Sequence, residues 1–598
     1  MKRVDRNYKR MLHNLAFSFK ISYKASAANF FLKSACLTLL AVVPIASAWI
    51  WKSILNEIVE KQKNLTFFML SLVAYLLCML LKEILTKVNT YLSERYEDDV
   101  TFFLEKQMME KVSKMDLSFF YSAQLGDKVQ RVRGNFWVMN NSVWLCFEIV
   151  FGMVGFAATL GILLSENVWL GLIVILLMLP QIYVDKKHLF KQNEVEKETV
   201  RDERFMYYFE NALRDNDVQF ESKVNEFGRY FIERYHRHWN NREKKLAKEN
   251  KDYNIKNIAV SNVSLLGEIL VIIHSIIAVL TGKMLIGTAQ YYISIVKMVN
   301  ENASTVFGNF NQFFSHMERL QEINEFLCIE PVIEKSGKLL AGSHPKIEFQ
   351  KVAFKYPGTS NYILKDCSFV INAGEKIGLI GTNGAGKSTI LNLIFRFYDV
   401  TQGTILIDGK NIKDYDVYSL RKCFGVLFQD YVTYCLPMRE IIALSNFEMV
   451  DNDELLNYAC ELSGAKKFID KWEKKYDTIL GRFYADHGES LSGGQWQVVG
   501  LSRAYFRKAK FMILDEPSSA LDPITEDRIF NQIYDVFHQS TVLAITHRLS
   551  NVRRFDKLLL LENGHIIEEG SPEKLYSQKG RYYELYNMQA KKYEEEKG

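Results

Sequence analysis

Five long apolar runs in the first half of the chain constrain its fold more than any other feature of the sequence. They span residues 28–51, 65–84, 143–164, 168–184 and 258–280. About 20 mostly apolar residues are enough for a helix to cross the hydrocarbon core of a bilayer. Because five such runs are difficult to bury in a water-soluble core, we expect this part of the chain to lie in a lipid bilayer. A sixth run, 287–307, is apolar in its first half and polar in its second.

The distribution of basic residues predicts which way these helices cross. Lys and Arg are frequent before the first run, between the second and third, and between the fourth and fifth, whereas the loop at 165–167 has none. Basic residues favour the cytoplasmic side of a membrane. Six crossings therefore leave both the N-terminus and the second half of the chain in the cytoplasm. The long inner segments are predicted to be helical extensions, since structureless stretches of that length are rare.

A change of pattern near residue 330 predicts a domain boundary. Pro331, Gly337, Gly342 and Pro345 interrupt the helical periodicity, and short β-branched runs alternate with helices after them. We predict an all-α six-helix transmembrane domain at 1–330, a linker at 331–345 and an α/β domain at 346–598. The net charge of +5 is small and no basic block follows, so nucleic acid is not an expected partner. The eight cysteines lie far apart, which argues against disulfides or a zinc site.

Residues 381–388, GTNGAGKS, fit the phosphate-loop pattern G-x-x-x-x-G-K-[ST]. An apolar strand at 376–380 precedes this stretch and a helical pattern follows it, which is the context that the loop requires. Backbone N–H groups of such a loop close around phosphate oxygens, and the helix dipole favours their charge. The predicted nucleotide-binding residues here are Gly381, Asn383, Gly384, Ala385, Gly386, Lys387, Ser388 and Thr389.

Two carboxylates follow an apolar run at 511–514 that is typical of a buried parallel strand. Ligands of α/β proteins bind at the carboxyl ends of such strands. We predict that Asp515 and Ser388 hold Mg²⁺, while Lys387 contacts the β- and γ-phosphates. Glu516 is the predicted general base that polarises the attacking water.

Residues 491–495, LSGGQ, are the signature of ATP-binding cassette (ABC) proteins, and with the phosphate loop and the carboxylates they make the second half resemble an ABC P-loop ATPase domain with a helical subdomain. Together with the apolar runs, the whole chain resembles an ABC exporter half-transporter. The resemblance implies that Tyr356 stacks on adenine, that Gln429 senses Mg²⁺ as a ligand and takes part in catalysis, and that His547 contacts the γ-phosphate. It further implies that Ser492, Gly494 and Gln495 contact ATP on a second ATPase domain, and that 518–522 cross to that subunit.

The resemblance also predicts the assembly. One chain carries one phosphate loop and one signature, which belong to opposite halves of a composite ATP site, so a homodimer that binds ATP and Mg²⁺ is the simplest working unit. Residues 117–127 and 223–230 resemble the two cytoplasmic coupling segments through which the family's ATPases move their transmembrane helices. A helix-to-helix turn without a coupling role is the alternative for each.

Trp496, directly after the signature, makes the chain resemble Gram-positive exporters of lantibiotics and related bacteriocins that have no peptidase domain, although Val498 departs from that pattern. The predicted function is ATP-driven export of a peptide across the cytoplasmic membrane of a bacterium, with a peptide or amphipathic molecule as cargo. A multidrug or lipid exporter is the nearest alternative. A soluble regulatory ATPase and a nucleotide-gated channel are more distant ones.

The inner half of the sixth run has two faces. Ala303, Phe307, Phe310 and Phe314 form an apolar face, and the other side is polar, with Glu301, Asn302, Ser304, Thr305, Gly308, Asn309, Asn311 and Gln312. The polar face either lines a water-filled cavity or belongs to a helix that has already left the membrane. Because ionisable groups within a membrane are functional candidates, Glu148, Glu268 and His274 are further candidates for cargo contacts.

Overall fold

A computed structural model describes residues 2–59, 65–121, 129, 131–166, 168–333, 337–430, 432–481, 488–516, 540–546, 548–549 and 553–595. By their internal contacts these residues form two compact units. The first comprises residues 1–112 and 126–329, and the second comprises 113–125 and 330–598. Residues 113–125 therefore group with the second unit although they lie early in the chain.

Helices make up the N-terminal part, and most of them are long. They are α1 (Lys2–Val59), α2 (Leu65–Ser113), α3 (Leu117–Phe120), α4 (Phe136–Glu166), α5 (Val168–Ala212), α6 (Asn216–Asn225), α7 (Gly228–Leu280) and α8 (Ile286–Leu327). At a rise of 1.5 Å per residue the 53 residues of α7 extend about 80 Å, well beyond a bilayer about 30 Å thick. The inner segments are thus helical extensions, as predicted.

Within the described residues, five helical stretches are long and apolar enough to cross a membrane: Arg10–Ile58, Leu65–Ser113, Arg131–Ser165, Val168–Gln192 and Gly228–Leu280. These stretches contain the first five predicted runs. The sixth run lies on α8, which is continuous but too polar in its second half to belong to this set. A sixth crossing therefore remains a prediction.

The first unit is held together by close helix packing and by polar contacts between helices. α4 packs along α8 and α5 along α7. Gly152 permits the first of these contacts, since a Cβ atom there would lie 2.8 Å from the Val306 Cγ2 atom. α1 is broken at Ser26, whose φ of −155° and ψ of 66° are not helical, and the Ser26 hydroxyl donates to Oδ2 of Asp99 at 2.6 Å.

The second unit is built on two sheets. Its strands are β1 (Ile347–Phe354), β2 (Leu364–Ile371), β3 (Lys376–Gly381), β4 (Gln402–Ile407), β5 (Lys410–Asn411), β6 (Phe424–Leu427), β7 (Phe511–Asp515), β8 (Thr541–Ile545), β9 (Lys557–Glu562) and β10 (His565–Gly570). The smaller sheet, β2-β1-β4-β5, is antiparallel. The larger has the order β10-β9-β3-β8-β7-β6 and is parallel except for β10.

The second unit also contains helices, some of which cover these sheets while others form a helical subdomain. They are α9 (Lys387–Ile394), α10 (Val417–Lys422), α11 (Met438–Ala443), α12 (Asp453–Ser463), α13 (Lys466–Ile469), α14 (Gly493–Phe506), α15 (Pro572–Ser577) and α16 (Arg581–Glu595). The strands of the parallel part are almost wholly buried, as expected for a sheet with helices on its faces. The predicted fold class, an α-helical domain followed by an α/β domain, is confirmed.

The early segment that groups with the second unit is fixed there by one carboxylate. Asp116, which is buried, accepts hydrogen bonds from the backbone N–H groups of Val332 (2.8 Å) and Ile333 (3.1 Å). The first predicted coupling segment begins at the next residue, and its part from 122 on lies outside the described residues. The second lies at a turn where α6 ends and α7 begins, with Glu226 at a φ of +54°.

Two glycines of the smaller sheet give a matched test of the fold. Gly403 and Gly409 have φ angles of +79° and +78°, but a Cβ atom on Gly403 would lie 2.2 Å from the Lys351 carbonyl oxygen, whereas one on Gly409 would meet nothing within 4 Å. Alanine costs left-handed strain at both positions, and overpacking adds about 2 kcal/mol at Gly403 alone. We expect Gly403→Ala to unfold about 4 to 8 °C below Gly409→Ala, measured on the thermal transition that ATP shifts. Equal unfolding temperatures would contradict this packing.

Candidate ATP site

The carboxyl ends of three parallel strands surround one cavity of about 550 Å³ in the second unit. β3 leads into the phosphate loop, β7 ends in the two carboxylates and β6 precedes Gln429. The lining residues are Tyr356, Ile363, Asn383, Gly384, Gly386, Lys387, Ser388, Thr389, Gln429, Asp515 and Glu516. The structure thus brings together most of the residues that we predicted for nucleotide and Mg²⁺.

Glycines shape the loop between β3 and α9. Gly386 caps the N-terminus of α9 with a φ of +111°, and a Cβ atom there would lie 2.8 Å from the Leu364 Cδ2 atom. Gly381 ends β3, where a Cβ atom would lie 2.3 Å from the Leu561 carbonyl oxygen. Ala385 is buried in the core below the loop. A side chain at either glycine would overlap these leucines, so the loop can adopt this conformation only with glycine at both positions.

Lys387 contacts its own loop. Its Nζ donates to the carbonyl oxygens of Gly381 (2.8 Å) and Thr382 (3.2 Å), and the side chain is buried. Burial lowers the pKa of Lys387, while the charges of Glu516 and Asp515 act in the opposite direction. The ammonium therefore lies at the base of the loop, with carbonyl oxygens as its hydrogen-bond acceptors.

The two carboxylates after β7 occupy different environments. Asp515 is buried, and this burial, followed by the nearby charge of Glu516, raises its pKa to about 6 although Lys387 acts against the rise. Glu516 has a φ of +46°, a strained conformation for a residue with a side chain, and its N–H donates to the Ile545 carbonyl oxygen at 3.0 Å. Nε2 of Gln429 donates to Oε2 of Glu516 at 3.0 Å. This contact joins the two predicted catalytic side chains across neighbouring strand ends.

The donor set fits Mg²⁺. Ser388, Gln429 and Asp515 line the same cavity, and they offer a hydroxyl, an amide oxygen and a carboxylate. Within the described residues no group of three or more His, Cys, Asp or Glu side chains could hold a metal ion. One carboxylate with two neutral oxygen donors suits Mg²⁺, which is usually bound through one or two carboxylates beside water and phosphate oxygens.

Tyr356 lines the cavity from the smaller sheet. Its ring meets the buried rings of Phe354 and Tyr398 edge to face, with centroids 5.0 and 5.2 Å away. Its hydroxyl reaches α9, where it contacts Oγ1 of Thr389 at 3.1 Å and accepts a hydrogen bond from Nδ2 of Asn392 at 3.2 Å. Sequence reasoning identified Tyr356 and Thr389 but missed Asn392 and Ile363. Neither belongs to a motif, so only the fold could bring them to this place.

The signature residues lie at the N-terminus of α14, and they are not among the residues that line the cavity. Ser492 caps the helix: its hydroxyl accepts from the N–H of Gln495, and Oε1 of Gln495 accepts from the N–H of Ser492 at 2.8 Å. This reciprocal pair rigidifies the start of the helix. Gly494 lies in its first turn. The geometry of one chain therefore keeps the signature apart from the chain's own phosphate loop.

Trp496 and Val498, which follow the signature, are buried in the core of the helical subdomain. Arg503, one turn further on, donates to the Ile441 carbonyl oxygen at 3.2 Å and lies 5.3 Å from the ring centre of Tyr434. An apolar side chain at 496 or 498 therefore serves packing within this subdomain.

Several predicted residues lie elsewhere or cannot be placed. His547 and residues 518–522 lie outside the described residues. In the first unit, Nδ2 of Asn309 donates to Oε2 of Glu148 at 2.8 Å, and Nδ2 of Asn300 donates to Oε1 of Glu268 at 2.6 Å. His274 borders a separate cavity of about 80 Å³. The cargo candidates thus do not gather at one site.

Residues on the polar side of the sixth run differ in their exposure to solvent. Glu301, Ser304 and Thr305 are exposed, whereas Asn302 is half-buried and lies beside Gly155, where a Cβ atom would come 3.1 Å from its Nδ2. On the apolar side Ala303 is buried but Phe310 is exposed.

Comparisons with known proteins identify the second unit and the architecture of the whole chain. A family model described as ABC transporter matches residues 364–519. The subtilin transport ATP-binding protein SpaT of Bacillus subtilis is 26% identical over 542 residues, which cover 89% of this chain and 87% of SpaT. An ATP-dependent lipid A-core flippase of Haemophilus influenzae is 36% identical, over 46% of each chain.

A solved structure of a bacterial Atm1-family ABC exporter with ATP bound has the same fold. The TM-score is 0.83 at 22% identity, and the match covers 95% of this chain and 99% of that one. Membrane-crossing helices, a nucleotide cavity and these similarities agree with one another. Residues 364–519 are therefore an ABC transporter ATPase domain, and the chain, whose first half carries helices that can cross a membrane, has the fold of an ABC exporter half-transporter with ATP hydrolysis coupled to transport.

Proposed function

We propose that this protein exports a peptide of the lantibiotic or bacteriocin kind across the cytoplasmic membrane of a bacterium, as a homodimer driven by ATP. The observation that carries the proposal is the cavity in which phosphate loop, carboxylates and Gln429 meet, on the same chain as helices that can cross a membrane. The similarity to SpaT along nearly the whole chain favours a peptide as cargo.

In this proposal Lys387 leaves the carbonyl oxygens of its loop and contacts the β- and γ-phosphates, and loop N–H groups hold the remaining phosphate oxygens. Ser388, Gln429 and Asp515 hold Mg²⁺, which when bound neutralises charge on the phosphates. Glu516 accepts a proton from the attacking water, and the hydrogen bond from Gln429 orients its carboxylate. His547 completes the contacts to the γ-phosphate.

Exporters of this kind generally work as dimers, and we propose two copies of this chain. The signature at the start of α14 and the chain's own phosphate loop serve different ATP molecules in this arrangement. Ser492, Gly494 and Gln495 would each reach the γ-phosphate held by the partner subunit. ATP then closes the pair, and its hydrolysis releases it.

The nearest alternative keeps this machinery and changes the cargo to a lipid or a drug. A lipid cargo is supported by the higher identity of the lipid A-core flippase, which covers less than half of either chain. A drug cargo is supported by a putative multidrug exporter of Bacillus subtilis that is 27% identical over 92% of this chain. Exposed polar groups on α8 favour a cargo with many hydrogen-bonding groups, such as a peptide.

Glu516→Gln tests the catalytic assignment. The amide keeps the shape of the side chain but cannot take a proton, so we expect hydrolysis to fall by a factor of about 100 or more while ATP still binds. Steady-state hydrolysis and equilibrium ATP binding by the purified protein measure the two effects. Lys387→Ala is the matched variant and should weaken binding itself. Hydrolysis at the normal rate by Glu516→Gln would remove Glu516 from this role.

Asp515→Asn tests the electrostatics of the cavity. Folding raises the pKa of Asp515 from its ordinary 3.8 to about 6, so the ionised carboxylate costs stability above pH 6, and this cost disappears below pH 4, where the group is protonated in both states. Without Mg²⁺ and nucleotide, the free energy of unfolding of Asp515→Asn at pH 7.5 should therefore exceed that of the natural chain by up to about 2 kcal/mol, and its unfolding temperature should be higher. This gap should shrink at pH 5. Hydrolysis should be lost at both pH values. A gap that does not change with pH would contradict the assignment.

Transport itself separates the two cargo classes. We expect inside-out vesicles that contain this protein to take up a ribosomally made precursor peptide encoded beside it, in an ATP-dependent manner, and vesicles with Glu516→Gln to take up none. A fluorescent phospholipid and a cationic dye serve as competing cargo. Uptake of either of these without uptake of the peptide would favour the alternative.

A further inference from the structure

Tyr356, the residue proposed to stack on adenine, is connected to the phosphate-loop helix by a hydrogen-bond network that includes Asn392, a residue outside every motif. Asn392 donates its amide hydrogen to the Tyr356 hydroxyl oxygen at 3.2 Å, and that hydroxyl contacts Oγ1 of Thr389 at 3.1 Å. The phenol oxygen accepts from the amide, and in the second contact either the Tyr356 or the Thr389 hydroxyl can be the donor. Both partners belong to α9, whose first residue is Lys387.

The same ring is fixed by its aromatic neighbours. Phe354 meets it at an interplanar angle of 82° and Tyr398 at 89°, and both neighbours are buried. Two edge-to-face contacts restrict rotation of the ring about its Cβ–Cγ axis, and the hydroxyl contacts restrict where the far end of the ring lies. The part of Tyr356 that is not covered in this way lines the nucleotide cavity.

We propose that Asn392 and Thr389 are positioning residues for adenine, which act by holding the Tyr356 hydroxyl so that the ring is oriented before ATP arrives. This inference rests on the proposed stacking role of Tyr356. A ring that is ordered in advance does not lose conformational freedom when the base stacks on it. Because Thr389 also belongs to the phosphate loop, the network sets the distance between the base-binding ring and the groups that bind phosphate.

The network predicts an effect on the base and none on the phosphates. Loss of one neutral hydrogen bond corresponds to a factor of about three to ten in the dissociation constant. For a non-hydrolysable imido analogue of ATP, we expect this loss in Asn392→Leu, which removes one contact of the hydroxyl, and at least this loss in Tyr356→Phe, which removes both. Inorganic tripolyphosphate, which has no base, should bind both variants as it binds the natural chain. Tyr356→Ala, which loses the ring, should bind the analogue more weakly still.

The experiment is equilibrium binding of the Mg²⁺ complexes of both probes to the full-length protein in lipid nanodiscs. The double variant Tyr356→Phe with Asn392→Leu closes a mutant cycle. If Asn392 acts only through the Tyr356 hydroxyl, the double variant should bind the analogue no more weakly than Tyr356→Phe alone. Thr389 is left unchanged in this cycle because it also lines the phosphate site.

The outcomes separate this inference from the proposed role of Tyr356. Normal binding of the analogue by Tyr356→Phe, with weak binding by Tyr356→Ala, would overturn the positioning network and leave the stacking role intact. Normal binding by Tyr356→Ala would remove the stacking role and the network with it. Equal weakening of tripolyphosphate and analogue would show general damage to α9, and additive losses in the double variant would show two separate effects. Either result would also overturn the inference.

Discussion

Ile545 at the end of β8 pairs with Leu379 of β3 on one side and with Asp515 of β7 on the other. This parallel register places the ends of β3 and β7 at the same level of the sheet. The phosphate loop follows β3, and the two carboxylates lie at the end of β7. The next pairing, Leu427 with Leu514, brings the end of β6 and thus Gln429 to that level as well. The contact between Gln429 and Glu516 depends on this alignment, since a slip of one residue would turn each side chain of a strand to the opposite face.

The sequence predicts those parts of the site that a local pattern encodes. The phosphate loop and the two carboxylates follow apolar strands, and their backbone context is visible in the order of residues. The contact of Gln429 with Glu516 joins residues 87 positions apart, and that of Asn392 with Tyr356 joins residues 36 apart. Hydrophobic periodicity cannot predict contacts between residues so far apart in the sequence, because these contacts follow from strand order and helix placement. Trp496 shows the converse: it is a marker of resemblance to peptide exporters, yet its side chain is buried within the helical subdomain.

In the membrane unit the same distinction applies. Apolar length alone predicts five crossings, because a bilayer imposes one thickness on every helix that spans it. It does not predict the partners of polar side chains within the bundle. Glu148 and Glu268, two isolated acids by sequence, each accept a hydrogen bond from an asparagine of α8. Such pairs reduce the cost of a carboxylate at this depth, and they stabilise the bundle whether or not cargo touches them.

The contacts of Lys387 have a consequence for how strongly this protein holds ATP. In the proposed mechanism, the ammonium exchanges the two carbonyl oxygens of its own loop that it contacts here for phosphate oxygens when nucleotide binds. The affinity for ATP therefore depends on the difference in free energy between two sets of oxygen contacts to one ammonium group. The backbone carbonyl oxygens of the loop compete with the phosphate oxygens of the ligand. A substitution that turned the carbonyl groups of Gly381 or Thr382 away from Lys387 would tighten binding without adding any contact to ATP, and it would slow the release of the product.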